Sequence, residues 1–443
     1  MKTGWVVLIV LALTATSARA LVWPDVPERI ERDLASPDPN TRRLGAQRLR
    51  ELGPTRGAPL VLRALGDPDE EVRLAAAQSA IRLRVVAATE AVLAWLGERD
   101  PRLRIAACDV TRALPNARAV PHLARALGDA DASVRAAAAE ALGSQPSPEA
   151  VAPLLGKLDD ASPTVRVQVA RSLASLGDTR AVVPLVGKVQ DSVSDVRQAV
   201  ARSLGELGDA RASQALVLAL RDNVDEVRVE ALSALGRLRA ADAVDAIAPL
   251  ALDRKPALRQ AAVAALGRIG TREAVRALIA TLGSGDDGVG TLQRTPAREA
   301  LVAAGPSAIP ELAQLLTGGA TPASATSAAW VLGELHAHAE TDAIVRAMRR
   351  GHLPTAAALH ALAGAGTTES VPVVLEFVDD VSPVVRAEAL SATAALLDPG
   401  RPDGRAVEPL AAALRDARLS PSERAKVAEL LGRTGAPRAA SVL

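Results

Sequence analysis

Four of the five histidines, His336, His338, His352 and His360, lie within 25 positions of one another. Imidazoles gathered in this way are the groups in the chain best suited to hold Zn²⁺ or Ni²⁺. Their spacing argues against it. Residues two apart on a helix face different directions, and no acidic or cysteine partner recurs with them, so no metal site and no cofactor are assigned. Nucleophilic chemistry is equally thin. Cys108 is the lone cysteine and is expected in the core, and the chain contains neither a phosphate-binding loop nor a Gly-x-Ser-x-Gly elbow. The composition therefore points to a non-catalytic chain.

The residues with the strongest pattern are arginines. Arg42, Arg73, Arg104, Arg135, Arg166, Arg197, Arg228 and Arg259 follow one another at 31-residue intervals without a slip. Chance alone produces such a run with a probability on the order of 10⁻⁷, and a fixed period of this length marks a repeat architecture. An aspartate stands six residues before most of them, at Asp67, Asp129, Asp160, Asp191, Asp222 and Asp253, and the pair returns at Asp380 and Arg386.

Within one period the apolar residues keep helical spacing, as in Val165, Val169, Leu173 and Leu176, then Val196, Val200, Leu204 and Leu207. The segment from Ala181 to Val189 carries a second apolar pattern, so each unit reads as helix, turn, helix. Gly177 and Gly208 stand where a helix should stop, and Asp178 and Asp209 are suited to cap the next. Asp100-Pro101, Ser162-Pro163, Thr295-Pro296, Thr321-Pro322, Ser382-Pro383 and Ser420-Pro421 each supply an N-cap followed by proline at the first helical position. The core must be Ala, Leu and Val: 49% of residues are apolar but only 1% aromatic, with no Tyr and a single Phe, Phe377.

Stretches such as Asp191 to Ala212 resemble the short HEAT repeats of the phycobilin lyase type, across about residues 24 to 441. The resemblance implies an all-α fold, a right-handed α-solenoid of about thirteen antiparallel helix pairs forming a HEAT-like or ARM-type superhelix. It also implies that Asp67, Arg73, Asp129, Arg135, Asp160, Arg166, Asp191, Arg197, Asp222, Arg228, Asp253 and Arg259 form a structural ladder, each arginine reaching an aspartate of an adjoining turn. The repeats are regular over 24–282, interrupted by an insertion at 283–294, degenerate over 295–367, and followed by C-terminal repeats over 368–441, with a further insertion from Asp398 to Arg405 before the last pair. The whole is read as one solenoid spanning 21–441. The deoxyhypusine hydroxylases, a HEAT family of iron enzymes, use His-Glu pairs; this chain has no His-Glu dipeptide.

Function is expected on the side of the second helix turned away from the first, which in HEAT-like solenoids lines the concave surface. Counting each motif arginine as zero, positions +1, +5 and +9 face that way. Position +5 reads Gln47, Gln78, Asp109, Glu140, Arg171, Arg202 and Ser233, and +9 adds Glu51, Arg82, Glu206, Arg237 and Arg268. An acidic step thus gives way to a basic stretch suited to an acidic segment of a partner. Trp330 aligns with Arg202 and is expected to face outward as an anchor. The candidate partner-binding residues are Arg171, Arg202, Arg237, Arg268 and Trp330.

The first twenty residues read as a secretory signal: Lys2, an apolar stretch from Trp5 to Leu13, and Ala18-Arg19-Ala20 for cleavage. The expected protein is an exported scaffold, in the periplasm or at the cell surface, for a protein or peptide partner. With 52 basic and 51 acidic residues there is no net field to attract nucleic acid, and no membrane insertion is expected after cleavage. The alternative is a metal- or chromophore-handling accessory factor or a lyase-like enzyme.

Overall fold

The structure, a computed structural model, describes residues 26–282, 295–398 and 400–441. The residues read as a secretory signal and the 283–294 insertion lie outside the described residues. Among the described residues there are thirteen helix pairs, and none of their helices is long and apolar enough to cross a membrane. The chain forms two compact units, one ending at Leu207 and the other beginning at Gly208.

In the first unit the second helices are long and regular: Glu70–Leu83, Pro101–Ala113, Ala132–Gly143, Pro163–Leu176 and Ser194–Leu207. Val165, Val169 and Leu173 have no exposed surface, as their spacing requires. The first helices are shorter and mixed. A 3₁₀ turn, Thr179–Ala181, runs into only five α-helical residues, Val182–Val186, before Gly187. Pro184 is tolerated in the first turn, where its missing N–H forfeits no bond, but neither it nor Gly187 supports a longer α-helix.

Punctuation follows the residues foreseen. All six prolines occupy the first position of a second helix, and Gly177 ends its helix at φ +66°. Ser162 and Ser382 make no side-chain cap bond. Their own N–H groups instead donate to the motif aspartates Asp160 and Asp380, at 3.0 and 2.8 Å. Two arginines, Arg84 and Arg239, occupy the left-handed position that Gly177 and Gly270 hold in their repeats, at φ 54° and 50°. A Cβ there is crowded by the following carbonyl, at about 1 kcal/mol or more. Arg239→Gly is therefore expected to stabilise the second unit by roughly 0.5–1 kcal/mol after the extra chain entropy of glycine, read as a higher urea midpoint at unchanged slope.

The ladder runs through the first unit. Each arginine reaches forward to the turn of the next repeat: Arg42 to Asp67 at 2.9 and 3.0 Å, Arg135 to Asp160 at 2.9 and 2.8 Å, Arg166 to Asp191 at 2.9 and 2.7 Å. Arg104 donates to Asp129 at 3.0 Å. Each bidentate pair also ties the arginine to its own turn, as Arg166 does through the Asp160 carbonyl at 2.9 Å. Two rungs differ from the expected pattern. Arg73 meets Glu98 at 2.8 Å because glutamate replaces aspartate there. Arg228 pairs with Asp225 of its own helix, an acid one turn away that Lys255 also holds at 2.7 Å. Arg386 closes on Glu423 at 3.0 Å.

A second stitch, unread in the sequence, uses Asp-x-Arg at the start of first helices. Arg180 folds back on Asp178 and donates to the Pro148 carbonyl of the preceding repeat at 3.1 Å. Arg405 does the same with the Thr368 carbonyl at 2.8 Å, and Arg418, folded back on Asp416 in the turn between the helices Val407–Leu414 and Pro421–Arg433, reaches the Asp379 carbonyl at 2.9 Å. Hydrogen bonds from Arg211 hold the Asp209 carboxyl down to about 2.

Candidate binding face

Consecutive second helices lie against one another through small residues. A Cβ on Gly143 would sit 2.6 Å from that of Ser172, and one on Gly267 would sit 2.7 Å from the Ala300 carbonyl oxygen. Ser79 and Ser203 bridge the same contact by donating to the Ala46 and Ala170 carbonyls, at 2.8 and 2.9 Å. With the neighbour packed at +4, +6 and +8, the +1, +5 and +9 side chains are left facing away from the core.

In the first unit Arg171 and Arg202 are exposed, as are Gln78 and Glu140. The acidic step is weaker than its sequence implies, since Arg112 lies 3.6 Å from Asp109 and 3.8 Å from Glu140. In the second unit Arg237 and Arg268 are exposed, Arg237 lying 4.0 Å from the nearly buried Glu230.

Trp330 is not on this face: only 4% of it is exposed. All ten residues from Ser324 to Gly333 in its helix are buried, because alanine and serine neighbours let the adjoining helices close in. The Arg298 guanidinium, itself buried, covers the indole at 5.9 Å from the ring centroid. The expected anchor is a core residue, so it is withdrawn as a partner contact. Trp95 is buried beneath Arg73 at 5.7 Å.

The histidines are drawn to separate partners. The Nδ1 atoms of His336 and His338 lie 3.0 and 2.9 Å from the Gly364 and Ala365 carbonyls, and that of His360 lies 3.1 Å from Glu388. Among the described residues no group of three or more His, Cys, Asp or Glu is placed to hold a metal ion. Cys108 is buried, and loss of solvation pushes its thiol up to about 12, too high to furnish a thiolate.

Two adjoining grooves, unforeseen in the sequence, open on the same face of the first unit. One, of about 430 Å³, has Ala75 and Ser79 at its floor and Gln47, Arg50, Gln78 and Arg82 around it. The other, of about 240 Å³, is lined by Leu74, Ile81 and Ile105 with Asp109 at its edge. They share Gln78 and Ile81. The readable signal was the +1 row, Leu74, Ile105, Ala136 and Val167, apolar where a purely solvated face would be polar.

The HEAT repeats family model matches residues 26–107, 89–161, 151–235 and 214–301. The chain belongs to the HEAT-repeat family. No curated protein matches this HEAT-repeat chain. Among solved structures it is similar to importin beta, with a TM-score of 0.55 at 15% identity over 93% of this chain and 68% of that one. A Kap95:Nup1 complex gives 0.52 at 12% identity, over 93% and 67%. The complex of CpcE and CpcF of phycocyanin lyase from Nostoc sp. PCC7120 gives 0.34 at 23% identity, over 56% and 93%. The first two likenesses are of fold, and they identify the HEAT-repeat chain as an α-solenoid.

Proposed function

We propose that this HEAT-repeat chain is an exported, non-catalytic scaffold that holds a protein partner along the outward face of its second helices. The observation that carries the reading is the exposure of Arg171 and Arg202 in the first unit, and of Arg237 and Arg268 in the second, at positions the core does not use. Within each unit, exposed guanidinium groups on successive second helices suit an acidic segment laid across them, steering encounter and setting register. The Kap95:Nup1 complex, similar in fold, is itself a complex of two proteins. Export rests on Lys2, the Trp5 to Leu13 stretch and Ala18-Arg19-Ala20.

The test is affinity capture of the tagged protein from gently crosslinked cells, with Arg171→Glu/Arg202→Glu alongside. Recovery of a stoichiometric partner is expected to fall roughly tenfold or more in the double variant, with helical content unchanged. Equal recovery would remove the arginine row from the binding face. The N-terminus of the protein in the exported fraction is expected to be Leu21; retention of Met1 there would count against cleavage.

A further inference from the structure

We infer that the two grooves on the first unit form a single docking site for an extended peptide carrying an acidic residue followed, three positions later, by an aliphatic one. This rests on the reading of the second-helix face as a protein-binding surface, and it names the chemistry of the segment bound there.

The first groove is built for an anion. Arg50 and Arg82 stand on its rim, both exposed. Neither has a carboxylate partner among the described residues, whereas the adjacent Arg48 is taken up by Asp33 and Glu51. Arg102, at the next groove, is likewise held by Asp100 and Glu71. No acidic side chain lines the first groove, and Gln47 and Gln78 add amide donors that can reach either a carboxylate or a peptide carbonyl. The floor of Ala75 and Ser79 leaves the depth a side chain needs.

The second groove is built for hydrocarbon. Leu74, Ile81 and Ile105 are half-buried around it, with Ala77 and Ala106 between them. The two grooves border the same helix, Glu70–Leu83, through Gln78 and Ile81, so a chain leaving one crosses only that wall to enter the other. Each groove lies between successive second helices. Packed helices are about 8–10 Å apart, and three residues of an extended or polyproline II chain advance about 9–10 Å. An acidic side chain in the first groove therefore sets the residue at i+3 over the second.

The probe is a fluorescein-labelled peptide, Gly-Ser-Glu-Pro-Ser-Leu-Ser-Gly, titrated with the full chain and followed by anisotropy. Saturable binding that weakens with salt is expected. Replacing the peptide Glu by Gln, its Leu by Ser, or adding one residue between them should each weaken binding at least about tenfold, and so should Arg50→Ala/Arg82→Ala in the protein. Arg63→Ala, an exposed position on the first helix Pro54–Ala64 outside both grooves, serves as a control that leaves the peptide affinity unchanged. No binding up to ~1 mM peptide, or equal affinity for the Gln peptide or for the Arg50/Arg82 variant, overturns the site. Failure here with partner capture still dependent on Arg171 and Arg202 removes these grooves alone. Failure of both removes the face as a whole.

Discussion

Gly364→Ala will destabilise the second unit by roughly 2 kcal/mol, although the same change in an exposed helix stabilises by about 1 kcal/mol. Gly364 lies in the second helix Thr355–Ala365, and a Cβ there would sit 2.3 Å from the Gly333 carbonyl oxygen and 2.8 Å from its carbon. Those atoms belong to the backbone of the preceding second helix, Pro322–Glu334, and cannot swing aside as a side-chain tip could. The helices must part, and the Ala, Leu and Val contacts on either side loosen with them. Gly432 supplies the contrast. It also sits in a second helix, Pro421–Arg433, with nothing within 4 Å of its absent Cβ. Gly432→Ala should raise the urea midpoint while Gly364→Ala lowers it. Two shifts of the same sign would mean that the close approach at Gly333 and Gly364 is not what holds these helices together.

Asp160→Ala is expected to cost the first unit about 2–3 kcal/mol. Asp160 accepts both bonds of the Arg135 fork and the Ser162 N–H, and its side chain is only 5% exposed. Its removal strands a guanidinium that is 14% exposed and opens the turn before the helix Pro163–Leu176. Asp160→Asn keeps an acceptor for the turn but not the charge, and should fall between alanine and the parent. The pH dependence has a definite sign. The Arg135 guanidinium holds the Asp160 carboxyl below the ordinary range. At Asp191 and Asp67 burial pulls upward and is the largest single effect, but the arginine bonds from Arg166 and Arg42, the backbone N–H groups of Val193 and Asp69 and the nearby positive charges together outweigh it. A depressed folded value makes the unfolded chain the better proton binder. The ladder's contribution is then complete above the usual carboxylate range near 3.8 and lost as pH falls through the lower folded values. Urea midpoints taken from pH 6 to pH 2 should drop steeply for the parent and less steeply for Asp160→Ala. Parallel curves would show that this rung carries no linked proton.

Much of this fold was legible because a repeat states the same fact many times. One arginine six residues after one aspartate means little. Eight arginines at a constant interval define a unit, its phase and the side of the helix that faces the core, and Ser-Pro, Thr-Pro and Asp-Pro pairs mark where helices begin. The two anomalous rungs were less accessible. Glu98 in place of Asp shows in the sequence, but the choice of Arg228 for Asp225 depends on a competition between two nearby carboxylates that periodicity does not weigh.

The binding face divides in the same way. Helical phase placed Arg171, Arg202, Arg237 and Arg268 on the outside, and there they are exposed. The same phase placed Trp330 outside, and there it failed. Phase says which way a side chain leaves its helix; it does not say how near the next helix comes. That distance is set by neighbouring volumes: around Trp330 small residues let helices close over it under Arg298, while Ala75, Ser79 and Ala106 leave hollows between Gln47 and Asp109. The sequence by itself determined the repeat, its punctuation and the polarity of each helix, because these follow from spacing along one chain. Only the tertiary structure decided which outward positions stay open and where they hollow into grooves, because that depends on how side chains from different repeats fill the space between them.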